Sequence, residues 1–360
     1  MKLGVTLSPL ATTADTTNLV DRAIELGSQA ERLGLDSVWF TQLLSYDAIA
    51  VASAVGRAVA RISVGTAVVP IYARHPQLLA SAAKTAQAAT GGRFQLGIGL
   101  GAKDMLEPAY GLPYPPPITH LREYLSALRP LLEGADTGFS GATVTSHPFG
   151  PTAVPGAEQA IPVVVAAMGP QALRITGELA DGTVTWLAGP RALEQHIVPA
   201  LTKAAADANR PPPRIIVTVP AVVTGKVEQA LASATGQLAF YETIPSHQRV
   251  LNWEGVDRAA ELVVAGYEDT VAAGLRRYLD AGATEITLTH TDLAGEADRV
   301  RTWRLAGQPR PGRADPKGLA VAQGADPCRA QLSCHQPHQL PPAGSSAISP
   351  PPSSPIARTE

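Results

Sequence analysis

Residues 161–190 read IPVVVAAMGPQALRITGELADGTVTWLAGP. The run Ile161–Met168 is short, apolar and rich in β-branched residues, as a buried strand requires. Gly169 and Pro170 then stop the strand and start a helix, since proline suits a first helical turn. A second strand, DGTVTWLA, follows, and a helix over 191–208 comes next. Strand, helix and strand in about thirty residues form one parallel βαβ unit.

The same alternation extends in both directions. Residues 2–8, DSVWFT (36–41), 62–69 and RFQLGIGLG (93–101) read as strands towards the amino end, and RIIVTVPAVV (214–223) and TEITLTH (284–290) towards the carboxyl end. Helical periodicity separates them, including 48–60, 75–90, 119–132, 227–241 and 269–280. A polar Gly/Pro-rich insertion carries one hairpin over Phe139–His147. About eight strand–helix units in 305 residues predict a (β/α)8 TIM barrel. No glycine fingerprint of an open dinucleotide-binding sheet follows the first strand. Residues 306–360, dense in Pro, Gly and Ser, cannot bury enough apolar surface to fold and are expected to be disordered. A solvated tail, a Pro-rich recognition segment around Pro350–Pro352 and a frameshifted end remain open there.

The composition narrows the function. With 360 residues, 45% hydrophobic, 17% charged and a net charge of −2, the chain reads as a soluble enzyme without the basic excess that nucleic-acid binding needs. No apolar run approaches bilayer length and no signal peptide is apparent, so neither a membrane nor export is expected, and the cytoplasm is. Cys328 and Cys334, the two cysteines, both fall near the carboxyl end and cannot organise the barrel. Paired histidines and HExxH are absent, so no metal is expected; nor is there a G-x-S-x-G elbow.

In such barrels the chemistry sits on loops after the strands. Those loops present Thr41–Tyr46, Thr66–Tyr72, Gly99–Tyr110, Met168–Gln171, Trp186-Leu187 and His290, with Ser8–Pro9 after the first strand and Pro220–Val223 after the seventh. Gly97, Gly99 and Gly101 alternate along one strand face; they either admit a flat ring or fit close packing. Gly169 and Pro170 open either an anion site or an ordinary turn. His75, before Pro76, is read as a cap or a surface residue. Lys103, Asp104, Glu107 and Tyr110 could do acid–base work or line a solvated loop. Trp186 either walls a ring pocket or caps the core.

Taken together, ERLGLDSVWFTQ (31–42), ISVGTAVVPIYARHP (62–76), GGRFQLGIGLG (91–101), HLREYLSALRPLL (120–132) and the 163–190 segment resemble the luciferase-like superfamily, and most closely its coenzyme F420-dependent branch. The resemblance spans 1–305. It implies an F420-dependent oxidoreductase that transfers hydride to or from a small organic substrate. FMN-dependent monooxygenation and non-catalytic flavin binding are the alternatives. It also implies a bulge with a non-proline cis peptide at Thr66-Ala67-Val68, mapped to the Ala67–Val68 bond, against which the cofactor ring lies. Gly99 and Gly101 map beside the ring. Ala167, Met168, Gly169 and Pro170 map to its ribityl–phosphate arm. Gln42, Trp186 and Arg122 are further cofactor candidates, and Lys103, Arg74 and Arg191 could meet a polyglutamate tail. Relatives carry His or Asn where this chain has Ala102-Lys103-Asp104, so Glu107 is taken as the acid, with Lys103 and Tyr110 beside it. Val69–Tyr72 and Leu106–Tyr114 would shape the substrate pocket, and a homodimer is expected.

Overall fold

The computed structural model describes residues 2–7 and 16–308. Ser8–Pro9, Cys328, Cys334 and the expected tail beyond 308 lie outside the described residues. Eight parallel strands close on themselves: β1 (Lys2–Leu7), β2 (Ser37–Phe40), β3 (Ser63–Thr66), β4 (Phe94–Gly99), β5 (Val163–Ala166), β6 (Gly182–Trp186), β7 (Arg214–Val223) and β8 (Glu285–Thr289). Each pairs with the next, and β8 pairs with β1. This is the (β/α)8 barrel that the alternation predicts.

Around it run α1 (Leu19–Arg32), α2 (Ala48–Ala58), α3 (Pro76–Ala89), α4 (Lys103–Tyr110), α5 (Pro117–Leu132), α6 (Pro170–Leu179), α7 (Val198–Asp207), α8 (Val227–Leu238), α9 (Pro245–Glu254), α10 (Glu268–Asp280) and α11 (Glu296–Ala306). The starts of α1, α2 and α3 are fixed by side chains. Asn18 accepts from Val20 and Asp21, and Asp47 from Ile49 and Ala50. His75 caps α3 by accepting from the Gln77 amide through Nδ1, one of the two roles its sequence context allows. The expected hairpin pairs Phe139–Ser140 with Thr145–Ser146, and the Glu123 carboxylate accepts from the Ala142, Thr143 and Val144 amides to hold it.

Two helices depart from expectation. Lys103–Tyr110, read as a loop, is α4, stopped by Gly111 at φ +65°, a left-handed cap that glycine adopts without penalty. The helical stretch expected over 227–241 is α8 continued by a 3-10 turn over Ala239–Thr243, and α9, not expected, follows it.

The barrel interior is layered. At the amino ends of the strands, Arg214 donates to both oxygens of Glu285 and to Gln95 Oε1, forming a closed polar plug. Above it, Trp39, Val164, Val184 and Ile216 pack as an apolar layer. Strand alternation then places Gly99, Ala166, Trp186 and Thr218 on the inner face one step higher. There the Thr6, Thr287 and Thr218 hydroxyls form a chain at 3.0 Å per link. Small and hydroxyl-bearing residues, with Trp186 among them, therefore line the carboxyl end of the barrel interior.

Candidate functional site

The mouth is built first by β3 and β4. The Ala67–Val68 peptide is cis, as the resemblance implies. Its Ala67 carbonyl accepts from the Thr41 hydroxyl at 3.1 Å, and the Ala67 amide donates to Phe40 O at 2.8 Å. Ala67 and Val68 are half-buried at this edge. Glycines opposite make the bulge possible. A Cβ at Gly97 would overlap the Thr66 carbonyl oxygen, and one at Gly99 would stand 2.8 Å from Val68 Cγ2. Close packing therefore accounts for both strand glycines. Gly101 lies just past the strand at φ +75°, against Leu106.

Several predicted residues have other work. The Thr66 hydroxyl is fully engaged with the Gly97 backbone, so only the Thr66 main chain borders the bulge. Gln42 donates to the carbonyls of Leu43 and Tyr46 and accepts from the Ala48 amide, which shapes the loop after β2. Arg122 pairs with Glu178. Glu178 lies eight residues along α6 from Pro170, about 12 Å at the helical rise, and that is where the Arg122 side chain is held. Arg74 is bound to Asp47 at 2.9 Å. Val69 and Ile71 are buried in the core rather than lining a pocket.

The acid–base candidates do come together, on α4. Lys103 and Glu107 face each other one turn apart at 3.8 Å, both partly exposed. Glu107 Oε1 accepts from the Tyr114 amide at 2.9 Å. Tyr110 packs on Tyr72, with ring centres 5.8 Å apart, and Tyr72 on Tyr114 at 4.9 Å. Burial pushes the Tyr114 hydroxyl up to about 12, and it donates to the Leu100 and Gly101 carbonyls. Tyr114 therefore stays protonated and braces the end of β4.

Met168, Gly169 and Pro170 turn from β5 into α6, with Ala167 buried behind them. Gly169 caps the helix without a side-chain hydrogen bond, which leaves the first amides of α6 without a side-chain partner. A Cβ at Gly169 would sit 2.9 Å from Arg249 Nη1. Arg249, exposed on α9, has no ion-pair or hydrogen-bond partner among the described residues. Amides at a helix start beside a free guanidinium make an anion site. Sequence reasoning missed Arg249 because α9 was missed, although Pro245 at its start and Gly255 at its end, φ +84°, were the signals.

The far wall comes from β6, β8 and the excursion after β7. Trp186 stacks on His290 (5.4 Å, 13°) and meets Tyr241 edge-on at 5.4 Å; Tyr241 lies 5.2 Å from His247. Burial pushes His247 down to about 4 and lowers His290, the latter partly offset by Asp292. Both rings are neutral near pH 7. Among the described residues no cluster could hold a metal ion, and no helix is long and apolar enough to cross a membrane.

The family model described as luciferase-like monooxygenase matches residues 1–301. The chain belongs to that family. Among its luciferase-like relatives, an F420-dependent glucose-6-phosphate dehydrogenase of Microbacterium testaceum is 25% identical over 293 residues, covering 72% of this chain and 84% of that one. The coenzyme F420 dependent tetrahydromethanopterin reductase from Methanopyrus kandleri shares the fold with a TM-score of 0.71 at 23% identity, over 85% of this chain and 97% of that one. So does the oxygenating constituent of 3,6-diketocamphane monooxygenase of Pseudomonas putida, in complex with FMN, with a TM-score of 0.70 at 17% identity, over 86% and 97%. Homology thus supports an oxidoreductase for this luciferase-like chain.

Proposed function

We propose that the chain is a coenzyme F420-dependent oxidoreductase that transfers hydride between F420 and a small organic substrate. The observation that carries this reading is the joint geometry of the mouth. A glycine-backed bulge at Ala67–Val68 offers backbone to one face of a flat ring, and the start of α6 with Arg249 offers an anion site for a phosphate arm. The residues present fit the cofactor at both ends. The name of the Microbacterium relative supports F420 over FMN.

Bound F420 supplies two-electron hydride chemistry; the protein supplies binding, orientation and exclusion of water. Ala67, Val68, Gly99 and Gly101 would border the ring. Gly169 and Arg249 would hold the phosphate, with Met168 and Pro170 fixing the turn. Trp186 would face the substrate side. Glu107, with Lys103 and Tyr110 about one turn either side of it on α4, would donate or accept the proton that accompanies hydride transfer. The chain would act as a cytoplasmic homodimer on its small-molecule substrate.

The test supplies reduced F420 anaerobically with a panel of activated alkenes, quinones and ketones. Acceptor-dependent oxidation of F420 supports the reading. A second reading, FMN-dependent monooxygenation, draws on the FMN-bound neighbour; substrate-coupled oxygen uptake with reduced FMN would favour it. Ala102-Lys103-Asp104 after β4 favours a third, non-catalytic flavin binding, and a bound cofactor that passes hydride to no acceptor would support that.

A further inference from the structure

Six buried side-chain polar atoms lack a hydrogen-bond partner among the described residues, and three of them belong to one cluster: Trp186 Nε1, His247 Nδ1 and His290 Nδ1. Buried polar groups are ordinarily satisfied, so such a concentration needs a reason. The Tyr241 hydroxyl lies near Trp186 Nε1, close enough to offset part of the upward push of burial on its own ionisation, but outside hydrogen-bonding geometry. The cluster sits at the carboxyl ends of β6 and β8, where a barrel enzyme keeps its chemistry. In an eight-stranded ring it faces β3 and β4 from across the mouth.

The surroundings restrict what can enter. Leu187, Val222, Leu251, Leu262 and Leu293 pack behind the rings. Arg249 does not serve the cluster: two residues from His247, it leaves α9 from nearly the opposite side and reaches Gly169. A carboxylate or phosphate pushed among the rings would be desolvated without a counter-ion, at high cost. An uncharged oxygen would accept from the indole N–H or an imidazole N–H and gain an aromatic wall for its ring.

We propose that Trp186, Tyr241, His247 and His290 form the substrate-specificity pocket, which takes an uncharged, planar, carbonyl-bearing compound whose oxygen accepts a hydrogen bond from His290. This rests on the oxidoreductase reading above, in which the substrate lies between the bulge and this wall. His290 is a specificity residue: it recognises the oxygen through its N–H. Entry requires Tyr241, on the 3-10 turn Ala239–Thr243 between α8 and α9, to swing from the rings.

The backbone of His290 suggests a clean test. Its φ is +51°, a left-handed conformation that Gly and Asn tolerate best. His290→Gly and His290→Asn therefore both suit the main chain, but Asn keeps an N–H donor and Gly does not. Acetophenone and benzoate, similar in size and differing in charge, would be titrated against the full chain and both variants by ligand-observed NMR. F420 binding would be measured on the same samples. The expected result is acetophenone binding that is weakened about tenfold in His290→Gly and kept within about threefold in His290→Asn, with benzoate excluded. Equal acetophenone affinity in all three proteins, no acetophenone binding by the unaltered chain, or benzoate binding as tightly as acetophenone would overturn the proposal. If acetophenone behaves as expected but F420 does not bind, the cofactor assignment fails and the pocket stands.

Discussion

The Thr66 hydroxyl is bonded twice to the glycine across the strand gap: it donates to Gly97 O at 2.8 Å and accepts from Gly97 N at 3.0 Å. This fully buried pair closes β3 onto β4 at the point where the chain enters the bulge. Thr66→Val keeps the shape and removes both bonds, stranding a buried amide. The expected loss is about 1–3 kcal/mol in urea unfolding, with weaker F420 binding as the bulge loosens. Unchanged stability would show that the pair does not anchor the bulge.

Glu107→Gln separates charge from geometry. The amide oxygen can still accept from Tyr114 N, so the turn after α4 should survive, while the charge that pairs with Lys103 is lost. That ion pair is half-exposed, and its loss should cost less than about 1 kcal/mol. Turnover with a working substrate should fall by about 10²-fold or more, as removal of a proton donor does. Unchanged turnover would exclude Glu107 as the acid.

Arg249 and Arg122 make a paired prediction. Arg249→Ala removes the unpaired guanidinium beside Gly169 and should weaken F420 binding about tenfold or more, with a reduced salt dependence. Arg122→Ala breaks an outer ion pair with Glu178 and should leave F420 affinity unchanged. Cofactor titrations on both variants decide between them; the reverse pattern would restore Arg122 to the phosphate arm.

Buried His247 sets a pH dependence. Its folded-state value lies near 4 and its ordinary value near 6.5, so between those limits the unfolded chain binds more protons. Stability should be full above about pH 6.5 and fall as pH drops toward 4, by up to roughly 3 kcal/mol from this group. His290, shifted in the same direction, adds to it. Urea unfolding between pH 7 and 4.5 would show the slope, and His247→Gln should flatten it.

Much of this was legible in the chain itself. The 161–190 segment encodes its βαβ unit locally, because strand, Gly-Pro turn and helix each have a short-range signature. The cis bulge at Ala67–Val68 was legible through family likeness, since nothing in its composition requires it. Gln42, Thr66 and Arg122 were read as cofactor candidates; their side chains hydrogen-bond the 43–48 loop, the Gly97 backbone and Glu178. Those partners lie up to 56 residues away, and only the folded chain brings them together. Trp186 and His290 were among the strand-end candidates, whereas Arg249 and His247 lie on α9, which the periodicity did not reveal. Trp186, Tyr241, His247 and His290 come from three separate segments, each unremarkable alone.

The central claim is tested most directly by equilibrium titration of the full chain with F420 and with FMN, followed by cofactor fluorescence. F420 should bind at least about tenfold more tightly, with Arg249→Ala reducing that affinity. FMN binding as tight as or tighter than F420 would contradict the account and move the chain to flavin monooxygenation.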